Sequence, residues 1–448
     1  MVQAQPGRRE ATETRSHAGW ARWAGPLALA AALGLYAVNL AAHPHILLSD
    51  IDLAVYRDAG LVARRSPGQL YQWQQGPGLR FTYTPFAASL CLAVSLLPWP
   101  LMVWLMLVSS VAALVATVWL VLGALGRPGS DRMGAACAVT AVAFWIEPVQ
   151  RTLHTGEVDL LLMLLVVRDL TNTGRRWQGA GVGAAAGFKL VALIFIPYLL
   201  ITGRYRQAGT AAGAFAATVA VGALLLPRAS GTWWLGGAFL DADRTGFVGY
   251  LPNQSLFGSL TRLAGTVPAT VVWVTLAVLV GGSGLVLAAF VHRQGWPVHG
   301  WVLCAVTGLI VSPVSWDHHW VWIAPALAVL ADMAVRTKGA RRVACWAAAG
   351  LLAVIFGAWP NADPAIPWGL IWYAPATRYG TGSNHPEYSW AGWQFVEGNL
   401  YLLTGSALLA AAAITTVAYR RHRPEPAQDA SRRSTRPDRL RLRRVRAR

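Results

Sequence analysis

The stretch Ser312–Trp322, "SPVSWDHHWVW", sets Asp317, His318 and His319 among tryptophans, between two strongly apolar stretches. Titratable groups beside bilayer core are expensive, and where they occur they mark a functional site by default. Two adjacent imidazoles can donate to an anionic phosphate or shuttle a proton. The plain alternative is an interfacial pair satisfied by water and headgroups. A zinc site would need a second His or Cys group at ligand spacing, and none stands out, so neither metal nor cofactor is expected. Lys189 stands alone in "AAAGFKLVALIFIP", with no acidic neighbour in sequence and with Arg176 and Arg204 distant on either side. A lone lysine suits a phosphate as a compact point charge, against the plain reading of a snorkelling side chain.

The remaining chemistry-bearing residues fall in three segments. "SDIDLAVYRDAG" (49–60) carries Asp50, Asp52 and Tyr56. An aspartate before a helix is a good N-cap, but capping needs only one, and a carboxylate there can also take a proton from a hydroxyl. "FTYTPFA" (81–87) offers Tyr83 to a substrate, or an interfacial aromatic belt with a helix starting at Pro85. "FWIEPVQRTLHTGEVDLLLML" (144–164) gathers Glu147, Arg151, His154, Glu157 and Asp159, either a site or a salt-bridge cluster. In "YLPNQSLFGSL", Asn253, Gln254 and Ser255 precede an apolar run, and helix capping explains one of the three.

What must position these groups is a membrane domain. The 448 residues are 55% hydrophobic and 13% charged, about half the usual charged share of a soluble domain. Long apolar runs occupy 23–41, 101–125, 267–290, 301–311, 343–359 and 400–418, several reaching the roughly 20 residues a spanning helix needs. The first is read as a retained helix, since no small-residue cleavage pattern follows it. The four cysteines all lie in apolar runs without metal spacing and read as small core residues.

Basic connectors fix the orientation by the positive-inside rule. With the N-terminus, 126–132, 172–178, 202–207, 292–296, 336–342 and the tail inside, residues 43–84, 148–157, 228–265, 314–319 and 360–398 face outside. Two segments are too short to cross. Residues 85–97 are expected to dip in from the outer side and break at "PWP". Residues 179–201, flanked by basic residues at both ends, are expected to form a hairpin with its apex at Phe188–Leu190, tolerable at membrane depth where it lines a cavity. About twelve crossings result. The domain reading is a cytoplasmic segment 1–22, an integral domain 23–419, and a basic tail 420–448 lying near anionic headgroups and not on nucleic acid. Most of the unusual polar residues then fall at one face, as an outward-facing active cavity requires.

"DLAVYRDAG", "FTYTPFA", "WIEPVQRTLHTGEVDLLLML", "GFKL", "PNQSLFGSL" and "SPVSWDHHWVW" stand in the order and approximate spacing of the actinobacterial polyprenyl-phosphate-mannose-dependent mannosyltransferases of glycosyltransferase family 87, which this chain resembles over roughly residues 45–330. The likeness is greatest to the alpha-1,2 branch of phosphatidylinositol mannoside synthesis. One departure is Thr84, where the family often has proline; another is 360–398, which has no clear counterpart. The resemblance implies an all-helical, multi-spanning type C fold and transfer of mannose, with inversion, from polyprenyl-phosphate mannose to a glycolipid hydroxyl at the outer leaflet of the cell membrane. It implies Asp52 as general base, with His318 and His319 on the donor phosphate, helped by Lys189. Asp50, Tyr56, Tyr83, Glu147, His154, Glu157, Asn253, Gln254 and Asp317 would support the site or line the substrates.

This agrees with the residues read alone. A lipid-linked phosphate leaves as an anion and needs electrostatic support more than a strong acid. No Gly-rich nucleotide loop is present. Two other readings remain: an arabinofuranosyltransferase using a prenyl-phosphate pentose, which "SWDHHW" disfavours, and a lipid or sugar transporter, for which the chain shows no paired inverted repeat.

Overall fold

A computed structural model describes residues 8–44, 51–76, 78–172, 174, 176–360, 368–375 and 385–421. Asp50, residues 361–367 and 376–384 of the segment 360–398, and the tail beyond Arg421 lie outside the described residues. The architecture is helical throughout, apart from a two-residue hairpin pairing Gln74–Gln75 with Leu79–Arg80.

Helix α1 (Arg8–Ala42) begins well before the first apolar run, although only Trp23–Ala42 has the hydropathy of a span. It packs on α5 (Gly129–Phe144). Between them in sequence lie α2 (Ile51–Arg65), α3 (Pro85–Val94) and α4 (Trp99–Ala124). Helices α6 (Glu147–Thr155), α7 (Asp159–Thr171), α8 (Ala180–Phe188), α9 (Phe195–Ile201) and α10 (Tyr205–Leu225) follow. After a short α11 (Pro227–Ser230) come α12 (Leu256–Ala264), α13 (Thr270–Arg293), α14 (Pro297–Val311), α15 (Ile323–Arg336) and α16 (Gly339–Ile355). The last are α17 (Trp393–Gly398) and α18 (Leu400–Arg421). Among the described residues, six stretches are long and apolar enough to cross a membrane: Trp23–Ala42, Trp99–Ala124, Tyr205–Leu225, Thr270–Arg293, Asp317–Arg336 and Leu400–Val417. Helices α3 and α14 and the stretch Leu190–Ile201 are apolar but shorter.

Both short segments break where their sequences predict. Helix α3 starts at Pro85, whose missing N–H and fixed φ suit a first turn, and stops before Pro98 and Pro100. Its N-cap is Thr84, which accepts from the Ala87 N–H at 3.2 Å and donates to the Gly187 carbonyl. The departure from proline thus ties the start of α3 to the end of α8. In the second segment, α8 ends where Lys189 turns extended (φ −134°, ψ 112°), and the chain continues as a 3-10 stretch, Leu190–Ile194, into α9.

Glycines set the packing of this hairpin. A Cβ at Gly179 would meet the backbone of Gln207, one at Gly183 that of Ala211, and one at Gly187 the side chain of Thr218. Positions four residues apart present one face, so α8 runs alongside α10 in the same direction at backbone contact. Because α9 ends at Ile201, immediately before α10, residues 179 and 201 lie at the same end and Lys189 at the opposite one. That is the hairpin the flanking arginines call for.

Two apolar cores hold the elements. The larger is built around α5, α6, α7, α14 and α15. The smaller joins α2 and α3 to Leu70, Tyr71, Phe81 and Trp233. Val158 is buried in the smaller core while Leu160 is buried in the larger, so the link between α6 and α7 lies where the cores meet.

Candidate active site

The centre of the site is Glu157, fully buried in the link between α6 and α7. Helix α6 ends on Gly156, which takes the left-handed conformation (φ 70°) that lets the chain reverse at once. That turn sends Glu157 inward and makes Asp159 the first residue of α7. Glu157 Oε1 accepts from the Tyr83 hydroxyl at 2.7 Å and from Lys189 Nζ at 2.8 Å; Oε2 accepts from Tyr56 and from the Val158 N–H at 3.1 Å. Lys189 also donates to Asp159 Oδ1 at 2.8 Å. The residue that looks isolated in sequence is therefore ion-paired twice, its partners arriving from 30 and 32 residues away. Tyr56, Tyr83 and Phe188 pack ring to ring around it, with centroids 5.2–6.1 Å apart.

Asp52 stands half-buried in the first turn of α2, outside the candidate spans. Burial first, and then the nearby Glu157 carboxylate, push its carboxyl up to about 7, against the pull of His318, Lys189 and the Thr155 hydroxyl. A carboxyl poised near neutrality is the right strength for a general base at that pH.

The "SWDHHW" segment enters as a tight 3-10 turn, Asp317–Trp322, leading into α15. His318 Nδ1 lies 3.2 Å from Asp317 Oδ1, which also accepts from the His318 backbone N–H at 2.8 Å. The His319 ring stands at 82° to that of His318, with centroids 4.7 Å apart. Its Nδ1 is buried and has no hydrogen-bond partner among the described residues. Consecutive residues cannot share a direction, so the pair divides: one imidazole on Asp317, the other on a cavity.

That cavity, of about 820 Å3, is lined by Lys189, His319, Tyr83, Thr84, Arg244 and Trp316, and further out by apolar side chains of α9, α13 and α14. Such a shape fits a lipid tail with a charged head at the Lys189 and His319 end.

A second group adjoins the first. Glu147, at the start of α6, accepts from the Tyr401 hydroxyl at 3.0 Å (Oε2) and from Trp372 Nε1 at 3.1 Å (Oε1). Arg151, one turn on, lies 3.6 Å from both Glu147 Oε1 and Asp317 Oδ2. His154, at the end of α6, is buried. Asn253 and Gln254 are supports and not linings. Both are fully buried, and Asn253 Oδ1 accepts from the Ser315 N–H at 2.9 Å while its Nδ2 donates to Val248 and Pro313. Gln254 accepts from the Tyr401 N–H at 3.2 Å and donates to Leu251 and Gly398. The helix cap is Ser255, whose Oγ accepts from the Gly258 N–H at 3.0 Å.

Sequence reasoning missed the roles of Asp159, Trp372 and Tyr401. Asp159 was visible as an acid among neighbours, but its pairing with Lys189 comes from the fold; Trp372 stood out only as one of the aromatics of 360–398, an expected sugar-stacking surface, and Tyr401 carries no local signal. One ligand atom from each of Glu157, Asp159, His318 and His319 lies within 4.8 Å of the others, a spacing that can hold a divalent cation. The Lys189 ammonium already bonds both carboxylates, so a metal would have to displace it.

Comparison with known proteins identifies the family. The model of glycosyltransferase family 87 matches residues 81–313. The chain is 32% identical over 372 residues (79% of this chain, 80% of the relative) to the polyprenol-phosphate-mannose-dependent alpha-(1-2)-phosphatidylinositol pentamannoside mannosyltransferase of Mycobacterium tuberculosis strain CDC 1551. It is 32% identical to the protein of the same description from Mycolicibacterium smegmatis (79% of this chain, 84% of the relative). A phosphatidylinositol mannoside mannosyltransferase of Mycobacterium tuberculosis strain H37Rv is 28% identical over 364 residues, 78% of this chain and 80% of the relative. No solved structure matches. With Asp52, Lys189 and the two histidines of "SWDHHW" gathered around one buried glutamate, and with these matches, the chain belongs to glycosyltransferase family 87.

Proposed function

We propose that this protein transfers mannose from polyprenyl-phosphate mannose to a hydroxyl of a phosphatidylinositol mannoside or related lipoglycan, making an alpha-1,2 linkage with inversion. One observation carries the reading: a carboxylate poised to take a proton stands within electrostatic reach of His318 and of Lys189, and Lys189 lines a cavity with an apolar outer wall. The relatives' substrates, as their names give them, are of this kind.

In the reaction the acceptor oxygen attacks C1 of mannose from the face opposite the phosphate. Asp52 takes the hydroxyl proton, the C1–O bond to phosphate breaks, and polyprenyl phosphate leaves with the electron pair. His318, held by Asp317, donates to the phosphate as its charge grows, His319 lines the cavity beside it, and Lys189 offsets the Glu157 and Asp159 carboxylates there. The test is incubation of the purified protein in lipid vesicles with synthetic polyprenyl-phosphate mannose and candidate acceptor lipids, with products read by mass spectrometry. No mannosylated lipid with any acceptor would end this reading; pentose transfer instead would favour the arabinofuranosyl alternative.

The reaction site faces outside, both termini face inside, and the shorter helices complete a type C fold of about twelve crossings. The charge pattern of the connectors supports this. A cysteine at exposed Ser389 is expected to react with an impermeant thiol reagent added to intact cells. Labelling only after lysis would invert the topology.

The histidines are expected to differ. His318→Ala removes the imidazole that Asp317 orients, and costs roughly 1.5–3 kcal/mol in donor kcat/KM if a hydrogen bond to charged phosphate is lost. His319→Ala, which breaks no side-chain bond seen here, costs about 1 kcal/mol. Steady-state rates at varied donor concentration check both. Normal donor kinetics in the two variants would make the pair structural.

A further inference from the structure

Residues 357–360 and 368–374 lie against the start of α6 as a strap. The Glu147 N–H donates to the Phe356 carbonyl at 2.6 Å, Ile146 pairs with Gly357, and Trp359 pairs with Trp368 through two backbone hydrogen bonds. This fixes where Trp372 falls. Its indole N–H sits between two carboxylates, 3.1 Å from Glu147 Oε1 and 3.0 Å from Asp317 Oδ2. The Arg151 guanidinium carbon lies 4.5 Å from the centre of the Trp372 ring, and Arg151 Nε lies 3.6 Å from each of the same two oxygens. Asp317 thus has one oxygen on the strap and Arg151 and the other on His318.

An aromatic residue in an outer loop of a sugar-transferring protein suggests a platform for a sugar ring. The surroundings of Trp372 say otherwise. One face carries a guanidinium, its edge meets Tyr250 at 82° with centroids 6.2 Å apart, and its only polar atom is spent on buried carboxylates. Glu147 and Asp317, both nearly fully buried, are brought together around one arginine, so two acidic groups share a single cation. A donor shared between them relieves that crowding and holds each in one rotamer.

We propose that Trp372 is a positioning residue for the transfer reaction: its indole N–H locks Asp317, and through Asp317 it sets the orientation of His318 toward the donor phosphate. The inference rests on the proposed mannosyl transfer from a lipid phosphate. It assigns the strap to donor alignment, although the strap lies in the outer connector next to which an acceptor would be expected. The Trp372 ring itself does not stack on sugar.

The test is a double-mutant cycle on the full-length protein in lipid vesicles, with donor and acceptor concentrations varied separately. Trp372→Phe keeps an aromatic face for Arg151 and removes the N–H along with the smaller ring that carries it. It is expected to lower donor kcat/KM about tenfold or more, the loss typical of one hydrogen bond to a charged group, with acceptor KM unchanged. In an Asp317→Asn background the same substitution is expected to have little further effect, because the two act along one line. Trp372→Tyr, carried through the same cycle, serves if the Phe variant does not fold. A raised acceptor KM with normal donor kinetics would overturn the proposal in favour of a sugar platform. Additive losses in the cycle would overturn it too. Absence of transfer by the wild type would instead sink the proposed function, which the cycle does not share.

Discussion

Asp52→Asn is expected to fold and insert as the wild type does and to transfer mannose about 100- to 10,000-fold more slowly, the range a positioned general base contributes. The amide keeps the shape of the carboxyl but cannot accept the acceptor's proton. Stability is spared for a definite reason. A carboxyl raised from 3.8 to about 7 binds its proton more tightly in the folded protein than in the unfolded chain. The folded state therefore holds more protons in that window, stability falls as pH rises from 3.8 to about 7, and it levels off above. Removing the charge forfeits nothing at neutral pH. The same poise gives the wild type its own signature: kcat/KM falls about tenfold per pH unit below 7 and flattens above, and that limb vanishes in Asp52→Asn. Turnover like that of the wild type in the variant would hand the base to another carboxylate at this face.

Lys189→Met is expected to destabilise the protein by about 3–5 kcal/mol, the usual result of stripping one partner from a buried ion pair. Here the loss leaves two carboxylates, Glu157 and Asp159, facing each other without the ammonium that bonds both. Glu157 retains Tyr56, Tyr83 and the Val158 N–H, whereas Asp159 Oδ2 has no partner among the described residues. Adding Asp159→Asn should accordingly recover part of the stability but little activity, since the positive charge beside the phosphate is still missing. Thermal unfolding of the detergent-purified variants, read beside transfer rates, separates the two effects. An unchanged melting temperature in Lys189→Met would mean that the two acids already carry a shared proton.

Much of this site lay open in the sequence because its members sit where polar residues are costly. "SWDHHW" between apolar runs, a lysine amid "AAAGF" and "LVALIF", and a proline after "FTYT" each violate a bilayer pattern, and each is where the chain turns or bonds. Pairings were another matter. Nothing local says that Lys189 belongs to Glu157 and Asp159, because those contacts depend on Gly156 reversing the chain and on α8 climbing beside α10. Tyr401 carries no local signal, and only the fold sets its hydroxyl on Glu147. The end of α1 at Arg8 was hidden for the opposite reason: a polar helical extension leaves no hydropathy signal.

The glycine-lined hairpin bears on how the protein is made. Its arms, Ala180–Phe188 and Leu190–Ile201, span only about 14 and 18 Å at helical rise, well short of the roughly 30 Å a bilayer core demands. Neither arm is long enough to span a bilayer core by itself, and arginines flank the hairpin at both ends. Its natural anchor is α10, the next segment out of the ribosome, against which Gly179, Gly183 and Gly187 seat without side chains in the way. Lys189 therefore meets its acidic partners only when the hairpin is seated against its neighbours. A bulkier residue at Gly183 would stall assembly at that step, and the cell's quality-control proteases would register it before any assay of transfer did.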